Sequence, residues 1–303
     1  MLTDARRSYH LLYEAQSRPR LYAAPWWLDT VCGPSGWDAV SYRDAETGAM
    51  TALPFQRTRI RGLTAITTPP ITQWVDVLSD QPELVIPIQP LLTLLPRSPI
   101  LDLSFAPDRE FAFDPMQISL STRYSYVLAY ANPLEEMSAG YNEGLKRNLK
   151  QAVQSYAVEE RKDPESLVSI CLATYGPKNT KAPAWIKALL PGLVDILYKK
   201  YQGEILLVHH KSKIIAGALI GWDNGRRYYL SGGRLPGEEG ASAHSLLMHH
   251  AITQAQKHAQ DFDFEGSMVP GIANFFQSFG AHPLSFYQLR KFAGWGKWWS
   301  LFH

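Results

Sequence analysis

The sequence predicts an α/β fold built as two units that repeat one order of elements. Three observations predict it. Short runs of apolar alternation interleave with runs at helical spacing, so strands and helices follow one another along the chain. The order hairpin, strand, loop, helix, strand, strand is met twice, with almost no identity between the two passes. The second pass closes on DFDFEGSMVPGIANFFQSFG, residues 261–280, which reads as a strand, a polar loop and a helix. These passes divide the chain into units 1–124 and 125–303.

Ser8 to Arg18 is polar and helical in pattern. Pro25 opens a short helix that Gly36 stops, since proline suits a first helical turn. Trp37–Tyr42, a turn at Asp44–Gly48 and Ala49–Phe55 make a hairpin. Arg57, Arg59 and Arg61 alternate, which places three guanidiniums on one face of an extended chain, a solvated edge in the favoured reading and a phosphate contact in the other. Leu63–Thr67 is a strand, Thr68–Trp74 a rigid loop, and Pro82–Leu95 a helix interrupted at Pro87 and Pro90. Strands follow at Ile100–Phe105 and within Gln117–Tyr130.

The second pass starts with helices at Leu145–Val153, Pro164–Tyr175 and Ala184–Tyr201, with a strand at Tyr156–Glu160. Glu204–Val208 and Ile214–Trp222 form its hairpin, Arg227–Ser231 its third strand, Gly232–Gly240 a loop with four glycines, and Ser242–Gln260 its long helix. After the strand at Asp261, Pro270 starts a helix on which Ile272, Phe275, Phe276 and Phe279 share one face, and Gly280 ends it. Leu284–Arg290 is the last strand. Trp295, Trp298, Trp299 and Phe302 fall on one face of a short terminal helix that docks on protein, or on a membrane if the acceptor is lipid-linked.

Composition narrows the function classes. A chain of 303 residues with net charge +2 gives no global electrostatic case for nucleic acid. Cys32 and Cys171 stand far apart with no CxxC pattern, as in a reducing compartment, and the start MLTDARRSYHLLYE lacks a signal-peptide core. No apolar run reaches a membrane span. The expectation is a cytoplasmic protein. His244, His249 and His250 are spaced for different faces of a helix, and adjacent His209 and His210 point to opposite sides of a strand, so no metal site is expected.

Two stretches carry a family resemblance. DFEGSM with a following Pro, then FF, SFG and the strand Phe286–Lys291, resembles the end of the Fem-type branch of the GNAT acyltransferase superfamily; Gly144–Ala152, GLKRNLKQA, is similar to that branch's RRN-then-K-A helix. The resemblance implies two tandem GNAT-like mixed-sheet units. It also implies transfer of an acyl or aminoacyl group to an amine, such as a small molecule, an amino sugar or a cell-wall precursor. On that reading the first unit shapes the acceptor side, with Trp27, Gln73 and Trp74, and the second holds the donor. The donor loop would comprise Gly232, Gly233, Arg234, Gly237, Gly240, Ser242 and His244. Its glycines depart from the superfamily's phosphate-binding pattern, because the second one, Gly240, comes one residue late. Arg147, Asn148, Tyr229 and Ser267 complete the expected substrate contacts.

For the chemistry, Glu265 at the strand's end is the candidate base, with an apolar setting expected to raise its pKa. Gly232 and Gly233 are the candidate oxyanion donors and Tyr287 the candidate proton donor to the leaving group. The donor expected is acyl-CoA, in preference to aminoacyl-tRNA, because net charge is near neutral and no helical arm for tRNA is seen. The alternative from another class is a GNAT-derived binding module that holds a cell-wall or amino-sugar ligand without turnover.

Overall fold

The computed structural model describes residues 3–107, 110–112, 120–130, 134–175 and 181–292. Two compact units divide the chain, Met1–Tyr124 with Ser285–His303, and Ser125–Leu284. The chain segment from Ser285 thus groups with the first unit, whereas the sequence reading carried the second unit through to residue 303. The terminal aromatic run lies outside the described residues.

The first unit runs α1 (Asp4–Glu14), α2 (Pro25–Cys32), β1 (Trp37–Arg43), β2 (Met50–Ile60), β3 (Leu63–Thr67), β4 (Leu78–Ser79), β5 (Ile86–Pro87), α3 (Ile88–Leu94), β6 (Ile100–Phe105), β7 (Phe111–Ala112) and into β8 (Leu120–Leu128). Thr3 caps α1, its hydroxyl oxygen accepting the Arg6 amide hydrogen bond. Gly33 ends α2 at φ 76°, earlier than the Gly36 expected from sequence. Pro87 holds the helix start back, so α3 covers only the second half of the expected helix. β1 and β2 pair antiparallel, as do β2 and β3, and β3 and β6 pair parallel. Leu53, Phe55, Ile66, Leu103 and Phe105 from these strands close a core with Ile88 and Leu91 of α3.

The second unit continues α4 (Leu134–Ala139), α5 (Glu143–Ser155), β9 (Ala157–Glu160), α6 (Pro164–Ala173), α7 (Trp185–Ala188), α8 (Leu190–Lys200), β10 (Gly203–His210), β11 (Lys213–Trp222), β12 (Arg226–Arg234), α9 (Glu238–Lys257), β13 (Asp261–Asp263) and α10 (Pro270–Gln277), and the chain passes to β14 (His282–Phe292). Pro191 divides the expected long helix into α7 and α8. Asn142 caps α5, whose buried face is Leu145, Leu149 and Ala152. β10 pairs antiparallel with β11 and β11 with β12, while β12 pairs parallel with β13. On the outer side β10 also takes β9. Two extra strands finish the plan: in the first unit β14 lies antiparallel to β6, and in the second the end of β8 lies antiparallel to β13.

The core of the second unit gathers Leu247, Ala251 and Ile252 of α9, Ala216, Ala218 and Ile220 of β11, and Phe262, Phe264, Phe276 and Phe279. Burial of those phenylalanines, each roughly 1.5–3 kcal/mol, fixes α10 on the sheet. Ile272 is not part of that face, being 39% exposed. Phe276 and Phe279 of the expected stripe are buried, with Phe275 packed against the same core, and Ala273 takes the buried place expected for Ile272. Among the described residues no helix is long and apolar enough to cross a membrane.

Candidate active site

The site is defined by where the parallel ladder of the second unit stops. β12 and β13 pair at Arg226–Asp261, Arg227–Phe262 and Tyr228–Asp263, and there β13 ends. β12 runs on to Arg234, paired on its other side with β11 through Gly233–Gly217 and Arg234–Ala216. Phe264 stays with β8, donating its N–H to the Tyr126 carbonyl at 2.9 Å. Among the described residues, therefore, no strand pairs with β12 from Tyr229 onward on its β13 side, and a gap lies between the two strands at the C-terminal edge of the parallel pair. Open α/β sheets bind ligands at such edges.

Glu265 stands at the mouth of that gap. Its φ of 60° is left-handed, a conformation a non-glycine residue holds only when something fixes it. The fixing group is Asp263, whose Oδ1 accepts the Glu265 N–H at 2.9 Å. The same carboxylate is fully buried and also accepts from Ser125 Oγ at 2.6 Å and Arg226 Nη1 at 3.2 Å. Burial pushes the Asp263 carboxyl above the usual range, and the neighbouring guanidinium works against that rise. Ser267 folds back locally, its hydroxyl accepting the Val269 N–H at 3.1 Å, which leaves Met268 and Val269 about half exposed.

Three rings gather on the α9 and α10 side of β12. Tyr229 Oη lies 3.0 Å from His244 Nε2, and the His244 ring stacks on Phe275 of α10 at 5.3 Å and 18°. Burial first, then the Arg234 guanidinium, brings the His244 imidazolium down to about 4, so the ring is neutral near pH 7. Burial raises the Tyr229 phenol, which stays protonated. The Tyr229 ring also covers Gly232, where a Cβ would meet its Oη at 2.2 Å. A side chain at Gly232 would have to displace the phenol end of Tyr229.

The expected glycine loop is resolved into strand and helix. Gly232, Gly233 and Arg234 are the last residues of β12, because their ladder with Ala216–Ala218 continues through them. A side chain on Gly233 would strike the Ile170 carbonyl oxygen at 2.3 Å, so this glycine lets β12 approach α6. Gly237, at φ 97°, precedes α9, which no side chain caps. Gly240 is in the first turn of α9, where a Cβ would lie 2.0 Å from the Leu235 carbonyl oxygen. Its need for glycine comes from the loop's own backbone. Arg234 braces the same loop, donating to the carbonyls of Leu235 and Gly237 at 3.3 Å each. Ser242 follows, partly buried, on α9.

The other expected residues are spread more widely. Trp27 is fully buried, its Nε1–H donating to Thr72 Oγ1 at 2.9 Å, and Trp74 packs edge-on against Tyr22 and Phe286. Both are core residues of the first unit, since their rings have no exposed surface to offer a substrate. Gln73, beside them, is partly buried. Arg147 and Asn148 are on the exposed side of α5, opposite Leu145 and Leu149. Tyr287 is on β14 in the first unit, opposite Phe105 and 48% exposed. Sequence reasoning passed over Asp263, Ser125 and Phe275 as site residues. No local sign marks the first, because in the DFDFE alternation Asp263 shares the polar-patterned face with Asp261 and Glu265, opposite Phe262 and Phe264.

Residues 141–275 match the family described as acetyltransferase (GNAT) domain. No curated protein matches the sequence significantly. Among solved structures the fold is similar to FemX, with TM-score 0.64 and 12% identity over 95% of this chain and 96% of that one. It is also similar to a conserved protein of unknown function from Bacteroides thetaiotaomicron, with TM-score 0.54 and 8% identity over 95% and 96%. The C-terminal domain of a protein assigned as a lysylphosphatidylglycerol synthetase from Agrobacterium fabrum gives TM-score 0.51 and 10% identity over 97% and 94%. Residues 141–275 thus match the GNAT acetyltransferase domain, in a chain whose fold is similar to that of FemX.

Proposed function

We propose that the second unit transfers an acyl group from a thioester or ester donor to an amine, with the reacting carbonyl in the gap between β12 and β13. The observation that carries this reading is the end of the ladder at Tyr228–Asp263 while β12 continues to Arg234. The free edge of a strand offers N–H and C=O groups that an extended donor arm can pair with. Glu265, at the mouth, takes the proton from the acceptor nitrogen as that nitrogen bonds to the acyl carbon. β12 amides that face away from β11 in the Leu230–Gly233 stretch steady the oxyanion. The carbon–sulfur or carbon–oxygen bond then breaks, and the proton held by Glu265 passes to the leaving group.

The uncapped N-terminus of α9 lies at the end of the same strand and supplies amides for an anionic part of the donor. Glu238 and Glu239 are exposed in that same turn. Acyl-CoA and an aminoacyl-tRNA ester both carry phosphate, so the donor is decided by the transfer assay below. The acceptor is a small-molecule or cell-wall-precursor amine in either case. A binding module without turnover would use the same gap.

Glu265→Gln tests the chemistry. The amide keeps the shape and cannot take the proton. Transfer, followed by mass spectrometry of amine mixtures with acetyl-CoA and with an aminoacyl ester as donors, should fall about 100-fold or more. Donor affinity and melting temperature should be nearly kept. Full turnover in the Gln variant would remove Glu265 as the base, and no turnover with any donor despite donor binding would favour the binding module.

A further inference from the structure

We propose that Asp263 is the positioning residue that ends the β12–β13 ladder, opens the gap and holds Glu265 at its mouth. This rests on the reading of the gap as the transfer site. Three donors from three different segments converge on one fully buried carboxylate: the Ser125 hydroxyl of β8, the Arg226 guanidinium of β12 and the Glu265 amide beyond β13. A buried carboxylate is retained only when its oxygens are satisfied. Here the third donor is the backbone group that would otherwise be free to continue the ladder to β12. By accepting it, Asp263 turns the chain into the left-handed conformation at Glu265 and directs the following loop away from β12.

The first unit contains the contrasting case. Asp102 occupies the same register position, the last residue of β6 paired with β3, opposite Thr67. Its carboxylate accepts from the Gln288 and Arg290 side chains of β14, at 2.6 and 3.1 Å. Among the described residues it holds no backbone amide of its own strand, and β6 runs straight on to Phe105. The aspartate that keeps its side chain for the neighbouring strand leaves its own strand extended. The aspartate that takes the amide two residues on bends the strand away.

The test is a double-mutant cycle read by melting temperature and hydrogen exchange, neither of which needs turnover. Asp263→Ala should speed exchange of the Glu265 amide about tenfold or more, with β10 and β11 amides unchanged. Asp263→Asn keeps an acceptor oxygen for that amide and should move it far less. Glu265→Gly accepts φ near 60° freely, so it should raise the melting temperature in the wild type more than in the Asp263→Ala background, where the chain is already released from that conformation. An equal effect in both backgrounds, or exchange as fast in Asp263→Asn as in Asp263→Ala, would overturn the proposal and leave the carboxylate as a buried partner of Arg226 only. Should Asp263→Ala not fold, Asp263→Val, a strand-favouring residue, takes its place in the same cycle. Glu265→Gln keeps the amide, so it alters transfer without altering this exchange, and the failure of the base is told apart from the failure of the positioning.

Discussion

The two units share one order of strand pairings and differ at the end of the parallel pair. In the first, β3 and β6 pair through Thr67–Asp102, and the chain after β3 then returns onto β6. Thr68 Oγ1 accepts the Ser104 amide at 2.8 Å, the Val75 amide donates to the Ser104 carbonyl at 2.8 Å, and the Ala106 amide donates to Val75 at 3.1 Å. Every step of β6 beyond the ladder is thereby covered, with Trp74 and Val75 buried over it. In the second unit the register counterpart of Ser104 is Glu265, two residues beyond the last pair. Its amide turns back onto Asp263, and the ladder to β12 has already ended at Tyr228–Asp263. One plan thus gives a sealed edge and an open edge, and the difference lies in a few backbone hydrogen bonds. Unpaired backbone groups persist where water or a ligand can meet them, which is why the open edge is the one to assign to chemistry.

The largest effect is expected where the open edge depends on support from its other side. β12 extends past its partner because Gly233 lets it touch α6, with a Cβ there meeting Ile170 O at 2.3 Å, Thr174 Oγ1 at 2.7 Å and Cys171 Cα at 2.8 Å. Thr174 Oγ1 in turn accepts the Arg234 amide at 3.1 Å. Gly233→Val should cost about 3 kcal/mol or more, because two backbones must part. Urea denaturation measures it. A fully stable variant with unchanged donor binding would mean that the free stretch of β12 does not depend on α6, and the account of why this edge stands open would fail.

Much of the fold was legible because hydrophobic period and turn residues were mutually consistent. Leu63–Thr67 is a strand with the expected bounds, and Pro270 starts its helix as read. The glycine stretch misled for a physical reason. Gly232 and Gly233 look like loop residues by composition, yet they are in a strand because the β11 ladder runs through them, and at Gly233 the approach of α6 leaves no room for a side chain. Trp27 and Trp74 looked like ligand-facing aromatics, and they are core because their partners, Thr72 and Phe286, come from elsewhere in the chain. The same holds for Asp263: its role needs Ser125, 138 residues away, and no local pattern reports such a partner. Glu265 was singled out because it follows the end of β13, where the alternation breaks, and His244 because it follows the glycine stretch on α9.

A smaller effect is expected from pH. His244 faces Tyr229, Phe275 and the charge of Arg234, and its folded pKa of about 4 is below the ordinary 6.5. The neutral ring is favoured in the folded state, so this contribution to stability is complete above pH 6.5, declines as pH falls toward 4, and is gone below that. Discounted for the ring's partial exposure, it amounts to about 2 kcal/mol. His244→Gln should flatten that part of the stability profile in urea melts, leaving the smaller slopes of His249 and His250, whose values burial also lowers. An unchanged profile would show that the three-ring group is wetter than its packing implies, and the aromatic wall of the open edge would lose its meaning as a dry surface.

The smallest effect tests the sealed edge. Thr68→Val keeps the shape of the side chain and removes the oxygen that accepts the Ser104 amide. Ser104 is buried, so its amide has no water to turn to, and the loss should be about 1–2 kcal/mol. The Thr68 amide still donates to Asp102 O at 2.9 Å and the two Val75 bonds remain, so the loop should stay in place and the change should not grow beyond that. Donor affinity should not move, because the sealed edge takes no part in binding it. The two measurements separate two ideas about the repeat. If stability falls and binding holds, sealing is a structural matter of the first unit and the open edge alone carries the site. If binding falls with an intact fold, the first unit's edge belongs to the donor site as well, and the division of labour drawn from the ladder ends is wrong.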